Sequence, residues 1–321
     1  MFLTTFARRR ALVALAFLLP ASMALAQGAP PQQTLRIGFQ RSSTLTAVLK
    51  ANGELEKALK PLGVNVTWHE FTSGLPQLEA LNVGSIDFSA DVADTVPIFA
   101  QAAGAKLAFI AEEAASPTAQ AIVVRAGSPI KTLVDLKGKK VAVTKGAGSH
   151  YLLVAALAST GLSFKDISPA YLTAADGRAA FVSNNVDAWV AWDPFLTSAR
   201  RQTNAKVLAD GTELASYKRY YLAAESYAEK RGDVLKVVYA KLAETGVWVK
   251  AHPKEAADLL AGIWGIDAAT VEEANSHRSY KVGVVTRSGL SEQQKIADTF
   301  QAEGLIPAKV DTAAVKIWQP N

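Results

Sequence analysis

Twice along the chain a short apolar run ends in a loop of serine, threonine and glycine, and a helical pattern starts directly after it. In the first stretch, residues 35–39 read as a buried strand and 40–43 as its polar loop. Leu45, Val48, Leu49, Leu55 and Leu59 then form a helical face that Gly53 interrupts and Pro61 ends. A strand at 64–70, a loop at 71–74, a helix over 75–83, a strand at 86–89 and a loop leading to a helix near 95–103 continue the order. The second stretch repeats it with strands at 140–144, 167–172 and 186–191, loops at 145–148 and 173–177, and helices at 149–159 and 178–183. Short-linked alternation of this kind predicts mostly parallel sheets flanked by helices. Asn82-Val83-Gly84-Ser85-Ile86-Asp87-Phe88 and Ser183-Asn184-Asn185-Val186-Asp187-Ala188-Trp189 match in kind: a helix end, a turn, and an apolar strand with one aspartate. Two similar α/β lobes are therefore expected.

The strand-like runs at 119–125 and 219–223 read as two crossings between the lobes, which makes a hinge. This assigns residues 27–118 to the first part of lobe I, 119–222 to lobe II and 223–321 to a mostly helical return to lobe I. Its helices are expected over 234–251, 254–264, 268–274 and 291–303, and the tail from 305 should pack on the first lobe.

Residues 1–26 run from Arg8-Arg9-Arg10 through an apolar stretch at 11–19 to Ala24-Leu25-Ala26, the order of a cleavable secretory signal peptide. Nine apolar residues are far short of the roughly 20 that span a bilayer. Three of the five net positive charges lie in that acid-free leader, so the mature chain carries +2, too little for a nucleic-acid surface. The chain has no cysteine, which excludes disulfides, thiol catalysis and cysteine-ligated metals. At this length, stability comes from a large core, and a bacterial periplasm is the expected location.

No catalytic constellation is present. His69-Glu70 opens like a zinc motif, but Ser73 stands where the second histidine should be. Ser128 to Lys131 fits S-x-x-K, yet Pro129 places it in a turn. Gly146 to Ser149 lacks the lysine of a phosphate loop. No cofactor or metal is expected. What recurs is the Ser/Thr/Gly loop between a strand end and a helix start: Ser42-Ser43-Thr44, Thr72-Ser73-Gly74, Asp94-Thr95, Gly148-Ser149 and 173–177. Helix N-termini beyond the carboxyl ends of parallel strands bind anions. Arg41 is the one cation in the first-lobe loops, Trp192 could wall the site, and Asp193 could face the ligand or bridge the lobes. Trp189 is assigned to the core.

Residues 35–40, 78–87 (LEALNVGSID), 97–104 (PIFAQAAG), 128–141 with Lys145-Gly146, 178–181, 186–194 (VDAWVAWDP) and 317–320 resemble the periplasmic aliphatic-sulfonate-binding proteins of ABC importers. These blocks are specific for the wider group of sulfonate, taurine and nitrate binders. The resemblance implies an α/β, two-lobe type II periplasmic-binding-protein fold that closes on its ligand and delivers it to a membrane permease. It puts the ligand near Gln40, Arg41, Ser42, Thr72, Ser73, Gly74, Ser89, Asp94 and Thr95 in one lobe. Gly148, Ser149, His150, Trp192 and Asp193 close from the other. Where relatives have a Gly-Asp or Gly-Asn step before the Pro-containing helix, this chain has Ala93-Asp94 after an apparently longer loop at 90–93. A sulfonate carries three acceptor oxygens and no proton, so Asp94 and Asp193 are expected to face donors or the substituent side. The implied partners are a small organosulfonate and the permease, with the protein a monomer. The alternatives are a binder of taurine, nitrate or another small oxyanion, or an enzyme reusing the fold, as in thiamine-pyrimidine synthesis.

Overall fold

The computed structural model describes residues 33–320; the leader expected at 1–26 lies outside them. From residue 33 the order is β1 (Gln33–Gln40), α1 (Thr44–Asn52), α2 (Glu54–Leu59), β2 (Val64–Phe71), α3 (Gly74–Asn82), β3 (Phe88–Ala93), α4 (Val96–Ala102) and β4 (Leu107–Glu113). Next come β5 (Gln120–Val124), β6 (Lys140–Val143), α5 (Gly148–Ala158), β7 (Ser168–Tyr171), α6 (Ala174–Val182), β8 (Ala188–Trp192), α7 (Phe195–Thr203) and β9 (Lys206–Asp210). The chain ends with β10 (Arg219–Ala224), α8 (Glu225–Lys230), α9 (Gly232–Ala251), α10 (Pro253–Trp264), α11 (Ala268–Ser276), β11 (Val282–Gly283), α12 (Ser291–Ala302) and β12 (Lys316–Ile317).

Two sheets result, in the orders β11-β4-β10-β3-β1-β2, with β12 also on β4, and β7-β6-β8-β5-β9. The strands that feed helices pair in parallel. β5 and β10 run antiparallel to their neighbours. These two are the runs that the sequence suggests as crossings; both are sheet strands, and the connections between sheets are residues 114–119 and 211–218.

Leu35, Ile37 and Phe39 of β1 bury against Leu45, Val48 and Leu49 of α1 and against Val234, Leu235, Val238 and Leu242 of α9. Gly53, at φ 66°, ends α1 in the left-handed conformation that a Cβ disfavours. The second core joins Ile122, Val141, Val143 and Val190 to Leu152, Leu153 and Leu157 of α5. Ile98 and Phe99 of α4 and Ile296 and Phe300 of α12 enter the same cluster, so it holds the lobes together as well as filling one of them. Each such fully buried side chain contributes about 1.5–3 kcal/mol.

The repeated aspartate has one role in both lobes. Asp87 Oδ2 accepts from the Arg36 backbone N–H at 2.9 Å, and Asp187 Oδ2 from that of Lys140 at 2.8 Å. Each carboxylate thus bonds the neighbouring strand one residue before the first parallel pair, Ile37 with Phe88 and Val141 with Ala188.

The sequence reading stops β3 at residue 89 and treats 90–93 as a loop. In the structure these residues are a buried strand. Asp91 hid it: at φ 57° it sits in a bulge, where two β3 residues oppose one of β10. Its buried carboxylate accepts from Arg219 Nε at 2.6 Å and Arg278 Nη2 at 3.1 Å. Arg278 also donates to Glu113 Oε2 at 2.7 Å, and the Tyr221 hydroxyl to Glu113 Oε1 at 2.6 Å. Two acids and two arginines, each at most 5% exposed, therefore balance where β4 leaves and β10 re-enters the first sheet. Burial pushes the Asp91 carboxyl up, but the charges of Arg219 and Arg278 outweigh it and hold it below the usual range. Asp91→Asn leaves the two arginines with one acid in a dry site. It is expected to cost about 3–5 kcal/mol in urea unfolding, against under about 1 kcal/mol for removing the exposed Asp233 partner of Arg231.

Candidate functional site

Three helices begin where parallel strands end, and the segments that lead into them meet on one cavity of about 240 Å³. Gln40, Arg41 and Ser42 lead into α1, Thr72 into α3, and Thr173 to Ala175 open α6. Ser43 and Ser73, the N-cap residues of α1 and α3, make no side-chain cap bond. The first N–H groups of those helices, at the positive end of the helix dipole, thus have no side-chain acceptor from the cap residue. α6 begins at Ala174 rather than 178, because Thr173 Oγ1 accepts from the Asp176 N–H and turns the expected loop into a first helical turn. Phe71 and Phe195 add aromatic wall. Arg41 is the cation of this cavity; its Nη2 donates to the Ile263 carbonyl at 2.7 Å, and Trp264 Nε1 donates to the Arg41 carbonyl at 2.6 Å. The return segment therefore fixes the arginine.

Of the residues proposed from sequence, Gln40, Arg41, Ser42 and Thr72 line the cavity, and Ser73 follows directly as the half-buried cap of α3. Gln40 Nε2 also donates to the Asp91 carbonyl at 3.0 Å, which ties the cavity wall to the buried charge cluster. Gly74 is a glycine for packing: a Cβ there would lie 2.8 Å from Val96 Cγ2. Ser89 lies in the core, where Oγ accepts from Gln77 Nε2 at 2.8 Å.

The others act mainly at contacts between lobes. Thr95 Oγ1 donates to the Gly146 carbonyl at 2.7 Å across the lobes. Gly148 packs so closely that a Cβ would stand 2.5 Å from the Tyr217 ring and 3.1 Å from Ala93. Asp94 accepts from the Lys218 N–H at 3.1 Å, and burial, with Glu292 nearby, pushes its carboxyl up to about 7. Asp193 Oδ1 accepts from the N–H and hydroxyl of Thr197, and Oδ2 meets His277 Nδ1 at 2.6 Å. Both carboxylates thus face protein donors, and Asp193 bridges to the return segment. His150 is a correction: it sits fully buried among Phe99, Phe164, Tyr171 and Phe300. Burial, with Lys145 nearby, lowers its pKa to about 4, so it offers no positive charge at neutral pH. Ser149 Oγ and Trp192 Nε1 are buried without a hydrogen-bond partner, and Trp192 meets the cavity residue Phe195 edge-on, with ring centroids 5.9 Å apart.

Sequence reasoning missed Glu70, Phe71 and Phe195 on the wall and His277 behind Asp193. Phe71 lies in the loop expected at 71–74 and Phe195 follows Asp193-Pro194 at the end of a strand, which was the available signal. Among the described residues, no cluster of three His, Asp or Glu side chains is placed to hold a metal ion.

The NMT1/THI5-like family matches residues 60–256. The putative aliphatic sulfonates-binding protein of Escherichia coli (strain K12) is 42% identical over 310 residues, covering 96% of each chain. The chain belongs to the aliphatic-sulfonate-binding protein family. Two solved family structures share its architecture. The periplasmic aliphatic sulphonate binding protein SsuA from Escherichia coli superposes with a TM-score of 0.79 at 43% identity, over 88% of this chain and 96% of that one. The alkanesulfonate-binding protein SsuA from Xanthomonas axonopodis pv. citri, bound to MOPS, gives 0.85 at 36%, over 90% and 99%. These are two-lobe α/β folds of the periplasmic-binding type.

The Asp193 hydrogen bond raises the His277 pKa above its ordinary 6.5, against the opposing effect of burial. A histidine whose folded pKa is raised adds stability that is complete below the unfolded value and disappears as pH rises through the folded one. His277→Gln is therefore expected to lower Tm most below pH 6.5, with the gap to the parent closing at alkaline pH in a thermal melt series.

Proposed function

We propose that the protein captures aliphatic sulfonates in the periplasm by closure of two lobes and delivers them to an ABC-importer permease for sulfur acquisition. The observation that carries this is the convergence of helix N-termini from both lobes, two of them without side-chain caps, on one cavity whose cation is Arg41. A sulfonate is a permanent anion with three acceptor oxygens, and backbone N–H groups with one guanidinium supply donors without demanding an acceptor in return. Ser149 Oγ and Trp192 Nε1 are buried donors that such oxygens would satisfy. Phe71, Phe195 and the Trp192 ring provide apolar surface for the organic part.

In this reading the sheet of β1 to β4 and β10 marks one lobe and that of β5 to β9 the other, with 114–119 and 211–218 flexing between them, so the boundary expected at residue 222 moves to about 218. The leader at 1–26 directs export, and the mature chain works as a monomer. Family relatives at 36–43% identity are solute-binding proteins rather than enzymes, and the protein is read as non-catalytic.

Calorimetric titration of residues 27–321 against ethanesulfonate, octanesulfonate, nitrate, sulfate and phosphate is expected to give one-to-one binding confined to the organosulfonates. Binding of phosphate or sulfate alone would defeat the proposal. Closure has its own test in Gly148→Ala, which pushes a methyl group into the Tyr217 ring. Overpacking of about 1–3 kcal/mol falls on the closed form, so affinity for the preferred sulfonate is expected to drop about tenfold, chiefly through faster release in stopped-flow.

A further inference from the structure

Resting on the sulfonate reading, the geometry points to one narrower ligand class: we propose that the site prefers zwitterionic sulfonates carrying a protonated amine, with Glu70 receiving the ammonium. The 240 Å³ cavity adjoins a second of about 480 Å³, and Arg41 and Glu70 line both. The second cavity is walled by Phe39, Ala47, Ala51 and Ile263 together with Lys50. Glu70 is the acid of both cavities. It is the penultimate residue of β2, just before Phe71, in register with Phe39 of β1.

Neither neighbouring cation forms an ion pair with Glu70. Arg41 donates to the Ile263 carbonyl, and the Lys50 ammonium stands 4.9 Å above the Phe39 ring. Among the described residues, the Glu70 carboxylate has no hydrogen bond or ion pair. A purely anionic head with an alkyl tail would leave this exposed carboxylate without a partner on the ligand. A ligand with negative and positive ends matches the pair formed by Arg41 with the helix N-termini on one side and Glu70 on the other. Such complementarity acts mainly on specificity. The cavity beyond Glu70 leaves room for substituents on the amine.

The test compares isosteres in which one ammonium replaces one methyl group: taurine against propanesulfonate, 3-aminopropanesulfonate against butanesulfonate, and 4-aminobutanesulfonate against pentanesulfonate, by calorimetry at pH 7. For at least one pair the parent protein is expected to bind the amine about fivefold or more tightly. Glu70→Gln is expected to abolish that preference by weakening the amine relative to its alkanesulfonate isostere, and Glu70→Asp to retain part of it. Alkanesulfonates bound as well as or better than every amine, or a preference that survives Glu70→Gln, would overturn the inference while leaving the sulfonate reading intact. Failure of all six ligands to bind would overturn both.

Discussion

Asp91, Glu113, Arg219 and Arg278 form a dry, neutral quartet at the point where the chain leaves the first sheet and returns to it. Buried charges are tolerable only when each has its partner and its remaining hydrogen bonds. Here Tyr221 fills one acceptor site of Glu113, and Tyr217 accepts from Arg219 Nη1 at 3.0 Å. Tyr217 itself holds φ 53° in the returning connection, a left-handed conformation costing of order 1–3 kcal/mol, which only well-fixed surroundings sustain. The quartet therefore dictates the path of that connection. Through Gln40, which donates to the Asp91 carbonyl, it also reaches the wall of the binding cavity.

From that anchored base the rest follows from parallel-sheet topology. Strands that feed helices with short connections place helix N-termini along one edge of each sheet, and two sheets joined at the quartet turn those edges toward each other. The candidate cavity is thus a by-product of the fold's connectivity, and side chains refine it. Around it lie the tethers between lobes and to the return segment: Thr95 to Gly146, Asp193 to His277, and Arg201 to Glu273 at 3.0 Å.

The α/β order and the strand-end loops were legible because they depend on local periodicity and composition, as at Leu35, Ile37 and Phe39 or at Thr72 and Ser73. The aspartates of the two similar segments could be matched from sequence, and their shared bond to a neighbouring strand explains why they match. The quartet was not legible. Its members lie at positions 91, 113, 219 and 278, and nothing local distinguishes a buried arginine from a surface one. Asp91 even concealed the end of β3, since a charged residue in an apolar run reads as a loop. Asp94, Asp193 and His150 flank recognisable loops, but whether a side chain turns to the cleft or into the protein depends on distant partners such as Lys218, His277 and Phe300. Glu70 was seen only as half of a failed metal motif, because its meaning lies in a cavity built partly by Ile263, almost two hundred residues away.

Gly148 and Tyr217 meet face to face with no space even for one carbon atom between them. Protein interiors resist compression, so the missing side chain lets the first turn of α5 lie directly against a ring on the returning connection. One absent carbon atom thereby sets how near the second sheet's helix can stand to the path by which the chain goes back to the first.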